Sequence, residues 1–483
     1  MQQPKSIAVL LQASQKEFMI EFASHAKKQS GCTVHGYCDS METVKAYKPL
    51  VDAGIFDSVT IFERTPADFP QNLDADEVMR VARNNEKRLN RPMNWYALVN
   101  RHFGRGFSPQ AFYHPRSRAS ENSDYVQFVN HMNTQIAFWD EQFISKQLDV
   151  ILNADFLQAS VARHHGAKVR TFLSARLRNL FIWVTDEYWE SDLLKKAFNE
   201  TKPDDKPVSI EAGPYGQGQY AKVAAKATTV SYMLERIFKR LKRHAYQRLK
   251  GYQPSYDLWP EIKMIWRQLW YTRQIIGPKT VCLDDLDGQP FVFFPLQVEP
   301  ERNFQGGSPE YFYQQSAIIS VSRDLPAGFK IAVKEHFPAA GKRMSEFYDQ
   351  LLDLKNLVLI DSREPGVAVI KKATAVATVN STAGMEAAIM GKPVVTFGRH
   401  NMYNMMSHVH VIRDESNLRG LLSRILTEPF DQGTALAEGA RFVKALESVT
   451  VDMGDFSAFN RTGYGDRAVA EAYNALCKSF EFP

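Results

Sequence analysis

The chain has little of what would mark several large classes of protein. No stretch approaches the roughly 20 consecutive apolar residues that a membrane-spanning helix requires. The apolar run nearest the N-terminus, residues 7–11, is too short for the core of a signal peptide and reads as a first strand. Only four cysteines occur in 483 residues, Cys32, Cys38, Cys282 and Cys477. Their spacing fits no zinc pattern, and they are too few for a disulfide scaffold, so a reducing cytosol is the expected compartment. Charge is nearly balanced, with 59 lysines and arginines against 54 acids and a net charge of +5. That mild excess gives no argument for a nucleic-acid partner. Internal repeats and low-complexity segments are absent. So are a phosphate-binding P-loop and a dinucleotide-type glycine turn, because "GPYGQGQYAK" at 213–222 lacks the third glycine and follows no clear strand. No cluster of residues has the spacing of metal ligands, and the histidines of "RHH" at 163–165 read as a helix end.

What remains is an ordinary soluble α/β composition, 44% apolar and 23% charged. The length exceeds one compact core and suits two domains. In the first half, short β-branched runs at 7–11, 33–37, 59–62, 150–152 and 169–172 alternate with helical periodicity at 16–28, 125–146 and 157–165. In the second half the alternation is cleaner. Strands are expected at 291–296, 330–333, 357–360, 375–379, 394–397 and 408–412, with helices between them. Such alternation predicts doubly wound parallel sheets covered on both faces. The polar turn "LDDLDGQP" places the domain boundary near 285. The expected organisation is a first domain over 1–285, a second over 286–465, and a last helix over 466–483 that packs back on the first domain.

Between the two strand sets the chain turns helical, over about 220–273, and this segment is assigned to the first domain. Within it, Leu234, Ile237, Phe238, Leu241, Ala245 and Leu249 share one helical face, while Arg236, Lys239, Arg240, Arg243 and Lys250 gather away from it. Two readings stand. One is a surface helix with a solvated basic face. The other is a helix, 234–252, that rests on an anionic membrane surface or an acidic polymer.

In a doubly wound sheet, ligands bind beyond the C-terminal ends of the strands. Residues there in the second half are Gln297, Glu299, Glu301 and Arg302 after the first strand. Lys334, Glu335 and His336 follow the second, with Arg343 opening the next helix, and Arg399 and His400 follow the fifth. After the fourth comes "NSTAG", Asn380-Ser381-Thr382-Ala383-Gly384. Small hydroxyl residues at a strand-to-helix turn leave the first helical N–H groups open to an anion such as a phosphate. The plainer reading of Ser381 is an N-cap. Glu386, one turn into that helix, suits the hydroxyls of a ribose, or simply complements the helix dipole.

The string "FVFFPLQVEPERN", then "YQQSAIISVSRDLPAGFKIAVKEH", "NLVLI" and "ATAVATVNSTAGMEAAIMGKPVVTFG", resembles bacterial capsule polysaccharide biosynthesis and export proteins, among them the capsule Kdo transferases. The resemblance covers roughly residues 290–400 and hardly touches the first half. It implies a GT-B fold, two Rossmann-like domains with the donor nucleotide on the second, and a donor phosphate held by His336, Ser381 and Thr382. Where the family has His-Pro, this chain has His336-Phe337-Pro338.

The expected function is therefore a glycosyltransferase of surface polysaccharide synthesis. It has no tightly bound cofactor or metal and uses a nucleotide-sugar donor, a CMP-activated acidic sugar such as Kdo being favoured. The acceptor is a glycan or glycolipid, and the enzyme is cytoplasmic or peripheral on the inner face of the plasma membrane. Such a transfer needs a carboxylate as general base or nucleophile. Asp186 or Glu187, after the apolar run 181–184, is expected in that role, with Glu299 and Glu301 as the other candidates. The phosphate and ribose contacts fall to Gln297, Lys334, His336, Arg343, Asn380, Ser381, Thr382, Gly384 and Glu386. A nucleotide-sugar 2-epimerase of the same fold and a non-catalytic export or assembly protein remain as alternatives.

Overall fold

A computed structural model of the chain describes all residues except 1–2, 12–14, 40, 63–65, 67–68, 100–114, 116, 204–207, 209, 211–225, 227, 252–253, 255, 276–278, 299–305, 337–338 and 458–459. The glycine-bearing string 213–222 and the candidates Glu299 and Glu301 therefore lie outside the described residues. By packing, the chain divides into two units. The first comprises 1–96, 122–201 and 444–483, the second 97–121 and 202–443.

The first unit is built on a seven-stranded sheet. Its strands are β1 (Ser6–Leu10), β2 (Thr33–Cys38), β3 (Ser58–Ile61), β4 (Val150–Leu152), β5 (Lys168–Ser174), β6 (Leu180–Val184) and, from the C-terminal segment, β13 (Val451–Asp452). Their order is β13-β6-β5-β4-β1-β2-β3. The strands β1 to β5 pair in parallel. β6 runs antiparallel to β5, with Thr171 opposite Val184. Apolar side chains alternating along β1 and β2, such as Ile7, Val9 and Val34, meet Phe18 and Phe22 of the Lys16–Ser30 helix in one core. The Ala468–Ser479 helix closes that core with Ala472, Tyr473 and Leu476, and its Ala472 carbonyl accepts the Trp183 indole N–H at 2.8 Å.

The second unit is a six-stranded sheet, all parallel: β7 (Phe291–Pro295), β8 (Lys330–Lys334), β9 (Leu357–Ile360), β10 (Ala375–Thr378), β11 (Val394–Thr396) and β12 (Val409–Val411). The order β12-β11-β10-β7-β8-β9 is that of a Rossmann-like sheet. The chain winds from β7 outward to β9, returns beside β7 as β10, and winds outward the other way. Both expected sheets are thus present, as two Rossmann-like units.

The packing corrects the expected division. The helices Val230–Leu249 and Leu258–Ile275 belong to the second unit, not the first. The reason is local. Ile265, Leu269 and Thr272 of the inner helix are buried, and the Thr272 hydroxyl and the Gln268 amide donate to the Ala340 carbonyl at 3.2 and 3.3 Å. Gly341 lies against them at φ +73, where a Cβ would overlap the Thr272 hydroxyl, so only glycine fits. The boundary therefore falls near 201 rather than 285, and residues 444–483 return to the first unit through the Gln432–Val449 helix. Among the described residues no helix is long and apolar enough to cross a membrane.

Candidate functional site

The switch point of the second sheet lies between β7 and β10, where the strand order reverses. Gln297 and Asn380 follow those two strands and are joined reciprocally. The Gln297 amide donates to the Asn380 carbonyl, and the Asn380 N–H donates back to Gln297 Oε1 at 3.0 Å. Asn380 is wedged between two glycines. A Cβ on Gly398 would overlap Asn380 Oδ1, and one on Gly307 would come within 2.5 Å of Nδ2. Asn401 braces the same corner, its amide donating to the carbonyls of Val379 and Gly398, each at 3.1 Å. The Gln297 amide is thus engaged in holding the edge, whereas Asn380 takes part through its backbone.

Ser381 caps the Thr382–Ile389 helix, its hydroxyl oxygen accepting the Gly384 N–H at 3.2 Å. The N-cap reading of Ser381 is therefore realised. It uses a lone pair, not the hydroxyl proton, and the helix's first N–H groups, of Thr382 and Ala383, have no intrahelical acceptor. Thr382 is exposed, and Gly384 is buried where a Cβ would meet the Tyr403 hydroxyl at 2.5 Å. Glycine there lets the helix start approach Tyr403 and Thr378 closely.

Two charged side chains stand at this edge without partners among the described residues. Lys334, last in β8, is half-buried, and burial pulls its ammonium down to about 8, against the opposing fields of Glu335, Asp361 and Glu364. Glu386 is half-buried one turn into the capped helix, and burial pushes its carboxyl up to about 7. Neither makes a hydrogen bond or an ion pair there. Lys334 thus lies in the field of three carboxylates without a direct contact, whereas no charged group offsets the burial of Glu386; a desolvated charge costs stability and persists where a ligand uses it. His336 is exposed beyond β8, its backbone N–H donating to Glu335 Oε1 at 2.9 Å.

Arg343 corrects an expectation. It is completely buried. Its Nε bonds Glu335 Oε2 at 2.7 Å, its Nη2 reaches the Gln297 carbonyl at 2.5 Å, and its guanidinium lies over the Phe347 ring at 4.8 Å. Tyr348 donates to the same Glu335 oxygen at 2.6 Å. Arg343 is an internal brace beneath the edge, not a ligand contact.

The expected carboxylates of the first half are also corrected. Because β6 is antiparallel, the residues after it lie at the N-terminal edge of the parallel strands, opposite the edge where such sheets bind ligands. Asp186 Oδ1 accepts the N–H groups of Tyr188 at 3.0 Å and Glu190 at 2.8 Å, closing its own turn. Glu187 is 2% exposed, paired with Arg163 and, at 3.3 Å, with Arg91. Burial works against its ionisation, yet Arg163 and Arg91 hold its carboxyl below the ordinary value. Both carboxylates are thus engaged by partners within the first unit.

Some edge residues carry no strong signal in the sequence. In the second unit the hydroxyls of Ser308, Ser362 and Thr378 are buried without a hydrogen-bond partner. Ser308 follows Gly307, which touches Asn380, and the paired glycines of "GGS" are the available signal. At the switch point of the first sheet, between β1 and β4, Asn153 is buried at φ +63 and bonds Gln15 at 3.5 Å. An asparagine directly after a buried strand is the kind of residue that takes up that conformation. No group of histidine, cysteine or acidic residues that could hold a metal ion occurs among the described residues.

Residues 209–407 match the family model described as capsule polysaccharide biosynthesis protein, so the resemblance carried by "FVFFPLQVEP" to "GKPVVTFG" is borne out. The capsule polysaccharide export protein KpsS of Escherichia coli is 28% identical over 166 residues, covering 32% of this chain and 41% of the relative. The chain thus spans about two fifths of the length of that curated relative. Among solved structures, KpsC of Thermosulfurimonas dismutans, a β-Kdo 2,7 transferase, overlaps 70% of this chain and 88% of its own at 15% identity and a TM-score of 0.32. Anabaena HepE, solved with UDP and glucose, overlaps 98% of this chain and 100% of its own at 11% identity and 0.32. A Listeria monocytogenes protein described as a putative UDP-N-acetylglucosamine 2-epimerase overlaps 100% and 97% at 11% identity and 0.28. Overlaps with TM-scores this low say nothing of the chemistry at the edge of the second sheet.

Proposed function

We propose, from a chain whose residues 209–407 match capsule polysaccharide biosynthesis proteins, that it is a glycosyltransferase. In this reading it moves a sugar from a nucleotide-activated donor to a glycan or glycolipid acceptor. The observation that carries the reading is two desolvated charges on one edge of a parallel sheet, Lys334 at the end of β8 and Glu386 in the capped helix after β10, which make no hydrogen bond or ion pair among the described residues.

The chemistry rests on the groups present. As the bond between the sugar and the leaving phosphate breaks, negative charge grows on the phosphate oxygens. The N–H groups of Thr382 and Ala383, the Ser381 hydroxyl, the Lys334 ammonium and His336 would stabilise that charge without reorganising. Glu386 would accept the ribose hydroxyls, whose hydrogen bonds replace the water its burial removed. Gln297, Asn380 and Arg343 set the geometry from behind. With Asp186 and Glu187 accounted for structurally, the proposed general base or nucleophile is Glu299 or Glu301. A CMP-activated acidic sugar, Kdo or one like it, is the proposed donor, and the proposed working place is the inner face of the plasma membrane, peripherally bound.

A thermal-shift panel with CMP, CDP, UDP and GDP tests the nucleotide half, since a ligand bound only by the folded state stabilises it in proportion to ln(1 + [L]/Kd). Stabilisation by CMP above the others supports the reading. No response to any nucleotide would return the chain to a non-catalytic assembly role. Conversion of a nucleotide sugar without acceptor would make it an epimerase.

A further inference from the structure

The helical hairpin formed by Val230–Leu249 and Leu258–Ile275 carries a surface that the nucleotide site does not use. Nine of the fifteen large hydrophobic side chains exposed among the described residues sit on these two helices. They are not scattered. On the outer helix Leu234, Phe238, Leu241 and Leu249 recur at helical spacing, so the apolar stripe of an amphipathic helix faces water rather than the core, with Phe238 67% and Leu249 86% exposed. On the inner helix Trp259, Trp266 and Trp270 follow at spacings of seven and four, one stripe again, and are all more than half exposed.

The hairpin is firmly built, so this exposure is not that of a frayed segment. The buried His244 lies 2.7 Å from Glu261, Arg240 lies 3.2 Å from the same carboxylate, and Arg236 donates to Gln268 at 2.6 Å. Ile265 and Leu269, buried on the neighbouring face of the inner helix, anchor it to the second unit.

Charge identifies the occupant. Residues 230–275 contain ten lysines and arginines against three acids, a net of +7. The whole chain carries +5, so all the other residues together sum to −2. Exposed cations stand beside both stripes, Lys242 and Arg248 on the outer helix, Lys263 and Arg273 on the inner. Leucine, phenylalanine and tryptophan at the surface, bordered by lysine and arginine, match a lipid boundary. There the aromatic rings sit at headgroup depth and the cations meet anionic headgroups.

We propose that this hairpin docks the protein on an anionic lipid bilayer, with the two stripes in the boundary between headgroups and acyl chains. The proposal extends the peripheral location given above and does not depend on the transfer chemistry. Docking here would hold the nucleotide-binding unit at the surface where a lipid-linked acceptor is presented.

The test is flotation of the full chain with vesicles of phosphatidylcholine alone and of phosphatidylcholine with phosphatidylglycerol, at low and high salt, with nucleotide affinity measured in parallel. The protein should float with the anionic vesicles at low salt and release as salt rises. Trp259→Ser with Trp266→Ser and Trp270→Ser should lower the partition coefficient about tenfold or more, through lost burial of aromatic surface. Lys242→Ser with Lys263→Ser should lower it roughly fivefold per charge and flatten the salt response. All five residues are exposed, so the fold and nucleotide affinity should be unchanged. Equal recovery with both vesicle types overturns the proposal. So does a stable dimer in the absence of lipid that dissociates in the tryptophan variant, which would assign the surface to a second copy of the chain. Flotation without nucleotide binding would sink the catalytic reading and leave this one intact.

Discussion

Two clusters of buried charge in this molecule are built in opposite ways. At the N-terminal edge of the first sheet every carboxylate in question is answered. Glu187 is matched by Arg163 and Arg91, and Asp140 by Arg88 at 2.5 Å and His165 at 2.8 Å. At the C-terminal edge of the second sheet, Glu335 and Arg343 form a buried ion pair, but Lys334, in the field of three carboxylates, and Glu386 make no hydrogen bond or ion pair among the described residues. The first arrangement is what a fold does with charge for its own sake, because a buried ion without a partner costs several kcal/mol. The second makes sense when a molecule from outside completes the set. On the proposed reading, pairing separates structural carboxylates from ligand-binding ones better than burial does. Glu187 is more buried than Glu386, yet it is the less credible functional residue.

The contrast between the clusters is most severely challenged at the paired side. Arg343→Ala would strand Glu335 in a fully buried site and should destabilise the protein by about 3–5 kcal/mol, read by chemical denaturation. Glu187→Gln should cost less, about 2–3 kcal/mol, because Arg163 stays half-exposed and can turn to water. The folded fraction of the Glu187 variant should bind nucleotide with wild-type affinity. A tenfold weaker affinity in that fraction would put Glu187 back among the ligand contacts.

At the edge of the second sheet the expected effects are smaller and fall on affinity. Ser381→Ala and His336→Ala would each remove the proposed hydrogen bond to a charged phosphate, worth roughly 1.5–3 kcal/mol, so nucleotide affinity should drop on the order of tenfold to a hundredfold. The nucleoside without phosphate should bind poorly to the wild type and respond little to either change. If the Ser381 hydroxyl does nothing beyond capping Gly384, stability falls by about 1 kcal/mol and affinity holds.

The smallest effects concern pH. Glu386 has its folded pKa raised to about 7, so its ionisation costs stability, and that cost grows as pH rises from its ordinary carboxylate range through 7. Lys334 has its folded pKa lowered to about 8, so stability is lost as pH falls from the ordinary lysine range through 8. The proposed nucleotide site uses both charges, and on that proposal affinity should be greatest between pH 7 and 8. It should decline a few-fold below, as Glu386 takes a proton, and above, as Lys334 loses one. In Glu386→Gln the difference from wild type should vanish on the acid side.

Much of this is legible in the sequence, for reasons that differ by element. The second sheet can be read because β-branched runs such as "AVAT" are bounded by turn residues and flanked by helical periodicity. The edge residues follow from the topology rule, and Lys334, Ser381 and Glu386 all lie where it puts them. Arg343 does not, because a cation at a helix start looks the same whether it faces a ligand or a buried glutamate thirteen residues before Tyr348. The helices of 230–275 fall to the second unit against expectation because periodicity shows that a face is apolar and not what covers it. For Asp186 a readable signal does exist. Only residues 175–179 separate β5 from β6, far too few for a parallel crossover, so the two have to form a hairpin and send Asp186 to the other edge.

If Lys334 and Glu386 are single because a nucleotide pairs them, binding and stability must respond to their removal in opposite directions. The sharpest measurement is calorimetric titration of the wild type, Lys334→Met and Glu386→Gln with CMP, with melting temperatures taken on the same samples. Affinity should fall about tenfold or more in both variants. Melting temperatures should be unchanged or raised by a few degrees, since each substitution removes a desolvated charge that the unliganded fold carries at a cost. Lowered melting temperature with unchanged affinity in both variants would contradict this pairing, and would make these two residues part of the fold like Glu187.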